Sequence, residues 1–378
     1  MRHHLYNINY KFVKEPENFD KYTERELLQY CLGATMYMPG TKDFAPAILN
    51  KKHPGLTSMV MCFEDACKEE DVPSAERNSV QLLDILCKKI EQNEFDYKDL
   101  PLLFFRVRSI EQFKHFSNML EARHVKLIAG FNFPKFNSQN AREYLEYLKT
   151  FNEKYGEIVY GMPIIEDEIA AFKETRMAEL IKVKNILDEY KELILNIRVG
   201  GTDFSSCFGV RRGINYTIYD IMTVKDCLVD ILNVFTRNNE YTVSGPVWEY
   251  FRANEEMKFM DILPPVDLQN CLLRRTPIVN DAVDGLMREL ILDQANGFMG
   301  KTCIHPSHLK YINGMLAVPR EEYEDAFQIM NTSGGVIKGS KGMNEIGPHH
   351  RWAEKIMMRA RAYGVIENEN CYFELFGE

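Results

Sequence analysis

KLIAGFNFPKFNSQNAREYLEYLKTFNEKYGEIVYGMPIIEDE, residues 126–168, contains two apolar runs separated by an amphipathic stretch. The runs at 126–133 and 157–165 are nearly continuous in apolar residues, as expected of strands buried on both faces of a parallel sheet. The stretch at 137–155 carries its apolar residues at helical spacing. This segment therefore predicts a strand–helix–strand unit with parallel strands.

The same alternation continues on both sides of this segment. Further runs of strand character bring the total to eight: LGATMYM at 32–38, SMVMCF at 58–63, LLFFRV at 102–107, ILNIRVG at 194–200, EYTVSGPV at 240–247 and KTCIHP at 301–306. Helical patterns fill the gaps at 73–91, 109–122, 169–190 and 218–237. Eight strands with helices between them predict an α/β protein with a (β/α)₈ TIM barrel, in preference to a β-sandwich.

The pattern changes after the eighth strand. A helix is predicted at 321–330, a segment rich in glycine and polar residues follows at 331–350, and a final helix begins at 351. This tail is too small for a core of its own. We therefore expect a catalytic barrel domain at 1–318 and a C-terminal lid segment at 319–378, which packs on the barrel or on a neighbouring subunit. A surface loop without a role is the alternative for the glycine-rich part.

Composition excludes several classes of protein. The net charge of −9, without a run of five Lys or Arg, argues against nucleic acid as a partner, because duplex binding needs a basic face. The nine scattered cysteines contain no Cys-x-x-Cys, so neither a disulfide framework nor a zinc ribbon is expected. The N-terminus lacks the apolar core of a signal peptide, and no uncharged apolar run approaches the ~20 residues of a membrane helix. These features predict a cytoplasmic protein without a membrane partner.

Charged side chains follow several predicted strands, at the barrel face where active sites lie. They are Glu64 and Asp65 after the second strand, Arg106 in the third, Lys135 after the fourth, Glu166 after the fifth and Asp203 after the sixth. Singly, each has another explanation: Asp203 suits a helix N-cap, and Arg106 suits an ion pair with Glu64 or Asp65. Together they favour a hard divalent cation that polarises a carbonyl, beside an arginine that stabilises an oxyanion.

The order of these motifs resembles the HpcH/HpaI aldolase family, which includes the citrate lyase β-subunit and malyl-CoA lyase. Within the family, the chain resembles a divergent bacterial branch that accompanies stress-response and tellurite-resistance systems. The resemblance runs from about residue 33 to 364, and GFMGKTCIHPSHLKYIN at 297–313 is its most specific stretch. The other stretches are MYMPGTKDFAPAIL at 36–49, MCFEDACKEEDVPSAERNSV at 61–80, FFRVRS at 104–109, FPK at 133–135, PIIEDE at 163–168, GGTDFS at 200–205 and GSKGMNEIGPHHRWAEKIMMRA at 339–360.

The resemblance implies a Mg²⁺-dependent carbon–carbon bond lyase. Glu166 and Asp203 would coordinate Mg²⁺, and Arg106 would hold a carboxylate or carbonyl oxygen of the substrate. Glu64 and Asp65 would orient metal-bound water and Arg106. The reaction would be a retro-Claisen or retro-aldol cleavage, or its reverse, through a metal-stabilised enolate.

Further roles implied by the resemblance concern the cofactor and the lid. The Pro39-Gly40 turn and Lys135 match positions expected to contact the cofactor. Glu345, where the family usually has aspartate, would move a proton to or from the enolate carbon in a neighbouring subunit, which implies a homotrimer or a multiple of it. His305 would shape the barrel floor without a catalytic role.

Departures from the family pattern leave the use of coenzyme A open. Basic residues usually precede the first strand, but residues 30–33 here are Tyr-Cys-Leu-Gly. Arg108 replaces the usual asparagine of the third strand. The pair Arg211-Arg212 could bind a phosphate instead, although an ordinary surface pair is an equal alternative.

Three functions remain in competition. The first is a lyase that acts on an acyl-CoA or another activated 3-hydroxy acid. The second is an aldolase or condensing enzyme that joins a 2-oxo acid to a phosphorylated or nucleoside-like partner without coenzyme A. The third is a non-catalytic metal-binding scaffold. The combination of Glu166, Asp203 and Arg106 favours chemistry over a scaffold.

Overall fold

Parallel strands wound into a barrel form the centre of the protein, seen in a computed structural model that describes residues 1–251, 268–339 and 342–377. Within these ranges, seven strands pair in parallel in the order β6-β5-β4-β3-β2-β1-β7. Their bounds are β1 (Ala34–Pro39), β2 (Ser58–Cys62), β3 (Leu102–Arg106), β4 (Ile128–Phe133), β5 (Tyr160–Ile165), β6 (Arg198–Val199) and β7 (Lys301–Cys303). Strands β2 to β5 are buried throughout, which explains their nearly continuous apolar sequences.

Residues 242–245, the closing segment, complete the barrel between β6 and β7. The Ser244 N–H donates to the Ile197 carbonyl at 2.9 Å, and the Gly245 N–H donates to the Gly300 carbonyl at 3.0 Å. These bonds join the two ends of the sheet, so the predicted (β/α)₈ barrel is confirmed. Its seventh strand, predicted at 240–247, is reduced to isolated parallel bridges.

Helices surround the barrel and connect its strands. Their bounds are α1 (Arg25–Leu28), α2 (Ala45–Leu49), α3 (Val72–Glu91), α4 (Ile110–Asn118), α5 (Ala122–Val125), α6 (Ala141–Tyr155), α7 (Glu168–Ala171), α8 (Lys173–Glu189), α9 (Gly201–Cys207), α10 (Met222–Phe235), α11 (Leu268–Leu273), α12 (Asp281–Asn296), α13 (Leu309–Met315), α14 (Arg320–Met330), α15 (Ile346–Tyr363) and α16 (Tyr372–Phe376). The helix predicted at 169–190 is divided into α7 and α8, because Phe172 has an extended backbone with φ −90° and ψ 134°. The helix predicted at 109–122 is likewise divided, because Glu121 is extended with φ −101° and ψ 162°.

The C-terminal part contains a second, smaller apolar cluster. Helices α14 and α15 pack around it; its buried members are Val318, Ala326, Ile329, Ile346, Ala353, Ile356, Ala360 and Val365. The glycine-rich segment contains an antiparallel hairpin of β9 (Val336–Lys338) and β10 (Met343–Glu345), where the sequence predicted only a loop. The short strands β8 (Val318–Pro319) and β11 (Val365–Ile366) pair in parallel. The domain boundary at residue 318 stays a prediction.

The N-terminal residues fold back onto this C-terminal part. Lys14 forms an antiparallel bridge with Val365. His3 is fully buried, and its ring stacks on that of Tyr363 at a centroid distance of 4.3 Å. The two ends of the chain therefore support each other.

Two expectations about chain chemistry concern cysteines and membranes. All nine cysteines lie in the described ranges and are unpaired thiols, as the sequence predicted. Across the described part of the chain, no helix is both long and apolar enough to cross a membrane.

The centre of the barrel is packed too tightly to accept a methyl group at Gly130. A Cβ on this β4 residue would lie 2.5 Å from the backbone oxygen of Tyr160 and 2.9 Å from the ring of Phe104. We expect Gly130→Ala to lower the free energy of unfolding by ~1–3 kcal/mol, because backbone and ring must shift. Urea denaturation would measure the difference.

Gly347→Ala is the matched control for this change. Apart from its two chain neighbours, no described residue lies within 4 Å of a Cβ at Gly347, which is exposed in the first turn of α15. Alanine there gains helix propensity but precedes Pro348, which disfavours the helical backbone of a residue with a Cβ, so stability should change by no more than ~1 kcal/mol. Equal stability of Gly130→Ala and the wild type would contradict the tight packing of β3 to β5.

Candidate functional site

The side chain of Arg106 joins the ends of three barrel strands. Its Nη2 lies 2.7 Å from Glu64 Oε2 after β2 and 3.0 Å from Glu166 Oε1 after β5. Its Nη1 lies 3.1 Å from Asp65 Oδ2. Arg106, Glu64 and Glu166 are buried, whereas Asp65 is exposed at the mouth. These side chains therefore meet at the mouth of the barrel, as the sequence predicted. Arg106 also makes the ion pairs with Glu64 and Asp65 that were the alternative explanation for it.

Lys135 fixes two of these carboxylates from the turn after β4. Its φ of 46° is in the left-handed region, which is uncommon for a residue with a side chain. In this conformation its N–H donates to Glu166 Oε1 at 3.0 Å, and its Nζ donates to Glu64 Oε1 at 2.7 Å. Arg106 and Lys135 therefore hold one oxygen of Glu166. The contact of Lys135 with a cofactor stays a prediction.

The other oxygen of Glu166 faces Asp203 across Gly200. A Cβ on Gly200 would lie 2.3 Å from Glu166 Oε2 and 2.9 Å from Asp203 Oδ2, so only glycine leaves room between the strands here. Gly200 is also the N-cap residue of α9, and Asp203 lies in the first turn of that helix. The alternative that Asp203 is only an N-cap is therefore wrong, and the two predicted metal ligands lie together.

The surroundings shift the pKa values of Glu166 and Glu64 in opposite directions. Burial and the nearby charge of Asp203 raise the pKa of Glu166 from 4.5 to about 7, although Arg106 opposes this. Burial also disfavours ionisation of Glu64, but the charge of Arg106 and the hydrogen bond from Lys135 outweigh it and lower the pKa of Glu64. Glu64 is thus an anion at neutral pH, whereas Glu166 is about half protonated there, and an approaching positive charge would favour loss of its proton.

The sequence did not identify Arg198, which lies inside the barrel on β6. It is 1% exposed, and its Nη2 donates to Thr302 Oγ1 at 2.7 Å. Arg198, Thr302 and Tyr37 line a cavity of about 190 Å³ together with Glu166 and Asp203. A charged residue inside the apolar run ILNIRVG was the signal that could have revealed it.

A second cleft of about 740 Å³ adjoins this cavity at Tyr37. It lies at the mouth after β1 and β7 and is lined by Pro39, Lys42, Lys52 and His305, among others. His305 is thus at the mouth, and its predicted place at the barrel floor is wrong, because it follows the carboxyl end of β7.

Gly40 packs beneath the mouth. Its N–H donates to the Cys62 carbonyl at 2.8 Å, and a Cβ would lie 2.8 Å from the ring of Phe63. This position needs glycine for close packing, and its predicted contact with a cofactor is untested.

Two other predicted residues lie away from these groups. Arg212 is buried and pairs with Glu249 and Glu289, so Arg211 and Arg212 form neither an ordinary surface pair nor a paired site open to a phosphate. Glu345 ends β10 and is exposed at the start of α15. Its role in a neighbouring subunit stays a prediction.

The two carboxylates suit a cation that needs few protein ligands. In the described ranges, no group of three or more His, Cys, Asp or Glu side chains is arranged to hold a metal ion. A site of two carboxylates is typical of Mg²⁺, which keeps several positions for water and substrate oxygens. Soft or tetrahedral metals would require a different set of ligands.

The raised pKa of Glu166 predicts how stability depends on pH without a metal. In the folded protein Glu166 releases its proton around pH 7, whereas the unfolded chain releases it near 4.5, so this stabilising contribution is lost as pH rises from about 4.5 through about 7. Glutamine does not titrate. With a chelator present, the stability of Glu166→Gln relative to the wild type should rise by roughly 2–3 kcal/mol between pH 5 and pH 8.

Glu168→Gln is the control, because Glu168 is exposed two residues further along the chain. Urea denaturation at both pH values should give the same difference from the wild type for this variant. A difference for Glu166→Gln that does not change with pH would show that Glu166 has an ordinary pKa.

Comparison with known proteins agrees with this architecture. Residues 26–365 match the family described as C-C_Bond_Lyase of the TIM-barrel fold. No curated protein sequence matches the chain significantly.

Three solved structures illustrate the shared fold. The chain is similar to protein CitE from Mycobacterium tuberculosis, in complex with magnesium, acetoacetate and coenzyme A, with a TM-score of 0.51 and 14% identity over 88% of this chain and 99% of that one. It is similar to malate synthase from Haloferax volcanii in a lead(II) complex, with a TM-score of 0.52 and 12% identity over 76% of this chain and 73% of that one. A pyruvate and acetyl-CoA complex of the same enzyme gives a TM-score of 0.51 and 11% identity, and the alignment covers 85% of this chain and 88% of that one. Because the family match also spans most of the sequence, the protein belongs to the carbon–carbon bond lyase family of the TIM-barrel fold.

Proposed function

We propose that this chain is a Mg²⁺-dependent lyase that cleaves a carbon–carbon bond of a 3-hydroxy acid or its acyl-CoA. The observation that carries the proposal is the placement of Glu166 Oε2 and Asp203 Oδ2 on either side of Gly200, beside Arg106. The magnesium in the complex of the similar protein CitE supports the choice of cation.

The charges of the site support a bound cation independently. When ionised, Glu64, Asp65, Glu166 and Asp203 carry four negative charges, and Arg106 and Lys135 carry two positive ones. Arg198, which lines the same cavity, adds a third positive charge, so the ionised groups leave a net charge of −1. Because burial penalises an uncompensated charge, a cation at Glu166 and Asp203 would offset this negative charge and displace the proton of Glu166.

In the proposed cleavage, Mg²⁺, Arg106 and Asp65 have different roles. A bound Mg²⁺ supplies Lewis-acid polarisation of a substrate oxygen. Arg106, oriented by its three carboxylate partners, donates to the oxygen on which negative charge develops. Asp65 lines the cavity, and its partial desolvation there, with its contact to Glu64, raises its pKa, which suits a group that accepts the proton of the 3-hydroxyl.

The final proton reaches the enolate carbon from the lid. We assign this step to Glu345 of a neighbouring subunit, because Glu345 is exposed at the end of the hairpin. Glutamate is one methylene longer than the usual aspartate, which extends its reach. This assignment requires an oligomer as the active form, and the resemblance to the family favours a homotrimer or a multiple of it.

Coenzyme A would occupy the cleft beside β1. Lys42 and Lys52 line it and offer positive charge to phosphates, and the cleft adjoins the cavity at Tyr37. These lysines would replace the basic residues that are missing before β1. Complexes of CitE with coenzyme A and of malate synthase with acetyl-CoA make a thioester substrate the first choice.

The first test is a cleavage screen over malyl-, citramalyl- and citryl-CoA with and without Mg²⁺. We expect Mg²⁺-dependent cleavage of at least one thioester, and a loss of at least ~100-fold in kcat for Glu166→Gln, because an amide is a poor ligand for Mg²⁺. The exposed Glu168→Gln should retain full activity.

The alternatives predict other results for this screen. A condensing enzyme without coenzyme A predicts no cleavage of any thioester by protein that binds Mg²⁺. A scaffold predicts that Glu166→Gln leaves the biological function intact, and that result would overturn both enzymatic functions.

Lysine variants test the coenzyme A cleft. The double variant Lys42→Ala, Lys52→Ala should weaken binding of coenzyme A roughly tenfold at low salt, because two exposed charge contacts are lost. Lys51→Ala is the control, since the Lys51 Nζ lies 2.7 Å from Asp99 Oδ2 and outside this cleft. Calorimetry that gives the same affinity for all variants would place coenzyme A elsewhere.

A further inference from the structure

Arg198 is a buried cation that faces neutral groups. Its Nη1 donates to Thr35 Oγ1 at 3.2 Å and its Nη2 to Thr302 Oγ1 at 2.7 Å. The guanidinium carbon lies 5.5 Å from the ring centroid of Tyr37. Among the described residues, no carboxylate oxygen lies within 4.0 Å of Arg198, and its Nε has no hydrogen-bond partner.

The other buried cations of the described chain each have a carboxylate partner. These pairs are Lys21 with Glu157, Arg106 with Glu64 and Glu166, Arg176 with Asp226 and Asp230, Arg212 with Glu249 and Glu289, Lys301 with Glu289 and Asp293, and Arg359 with Glu322. The protein therefore compensates buried positive charge consistently, and Arg198 is the exception.

An uncompensated buried charge is costly, and burial lowers the pKa of Arg198 accordingly. The location of Arg198 explains why the protein keeps this buried charge. Glu166 and Asp203 line the same cavity as Arg198, so one small molecule in it can contact all three side chains. A buried arginine with open donors is suited to a carboxylate, which it binds through charge-assisted hydrogen bonds.

We propose that Arg198 binds the far carboxylate of a substrate whose reacting end lies at Glu166 and Asp203. This assignment rests on the proposed lyase function and narrows its substrate to a compound with two anionic ends. The cavity of about 190 Å³ is smaller than the ~300–1,000 Å³ of sites for drug-sized ligands, so it takes an acid of a few carbons.

The position of Arg198 also identifies the product that carries this carboxylate. In the cleavage, the 3-hydroxyl proton goes to a base, the carbinol carbon becomes a carbonyl, and the electron pair of the broken bond forms the enolate, which is then protonated. No oxidant or reductant is consumed. The carbonyl fragment stays in the barrel cavity, so it would be a short oxo acid with a second carboxylate, formed together with the acyl fragment in the outer cleft.

A pair of isosteric ligands tests the carboxylate site. Malate and its 4-monoamide differ in the charge of the far group, and both offer a hydroxy-carboxylate to Mg²⁺. By calorimetry with Mg²⁺, the wild type should bind malate roughly 10- to 100-fold more tightly than the monoamide, as expected for hydrogen bonds to a charged group. Arg198→Met should bind the two alike, and Arg198→Lys should keep part of the preference.

Stability separates this role from a structural one. Replacing an uncompensated buried charge by Met should leave the Tm unchanged or raise it, whereas a structural role predicts a lower Tm and no effect on ligand preference. Thr302→Val is a second variant, which removes the hydroxyl at 2.7 Å from Nη2 but keeps the charge, and it should reduce the preference without abolishing it.

The outcomes distinguish the two proposals. A wild type that does not prefer malate, or an Arg198→Met variant that still does, overturns the carboxylate site whether or not Mg²⁺ binds. If the preference depends on Arg198 but is unaffected by Mg²⁺ and by Glu166→Gln, the carboxylate site stands and the metal-dependent lyase fails.

Discussion

The ion pairs of one guanidinium hold the mouth of this barrel together. Arg106 binds carboxylates from the ends of β2 and β5, and Lys135 reaches the same carboxylates from the turn after β4. Removing a buried cation of this kind leaves its partners uncompensated, which typically costs more than the pair itself contributes. The geometry of Glu166, and with it the space that faces Asp203, therefore depends on Arg106.

The barrel and most of this mouth could be predicted from the sequence because they follow from simple periodicities. Strands that are buried on both faces have continuous apolar sequences. In such barrels, active-site residues lie at the carboxyl ends of these strands. The meeting of Glu166 and Asp203 at the mouth of the barrel was predictable on this basis. The antiparallel hairpin of β9 and β10 was not, because its glycine-rich sequence also suits an irregular loop.

The residues that the sequence did not identify depend on three-dimensional register. The mostly apolar run at 194–200 does not fix whether Arg198 points into the barrel or out of it, since adjacent residues of a strand face opposite sides. The left-handed backbone of Lys135 is likewise set by the bonds that it makes with Glu64 and Glu166, not by a local preference of lysine.

The closing segment at 242–245 gives the barrel a seam. It is joined to its neighbours by isolated bridges, whereas β1 and β2 pair over five consecutive residues. Local opening needs less free energy where fewer bonds must break, so we expect the barrel to open and exchange amide hydrogens more readily at this seam than between β1 and β2. Ser244 of the seam accepts a 3.4 Å hydrogen bond from Arg198 on β6. A ligand bound to Arg198 would strengthen the link between β6 and the closing segment, so the barrel would become more rigid when the cavity is occupied.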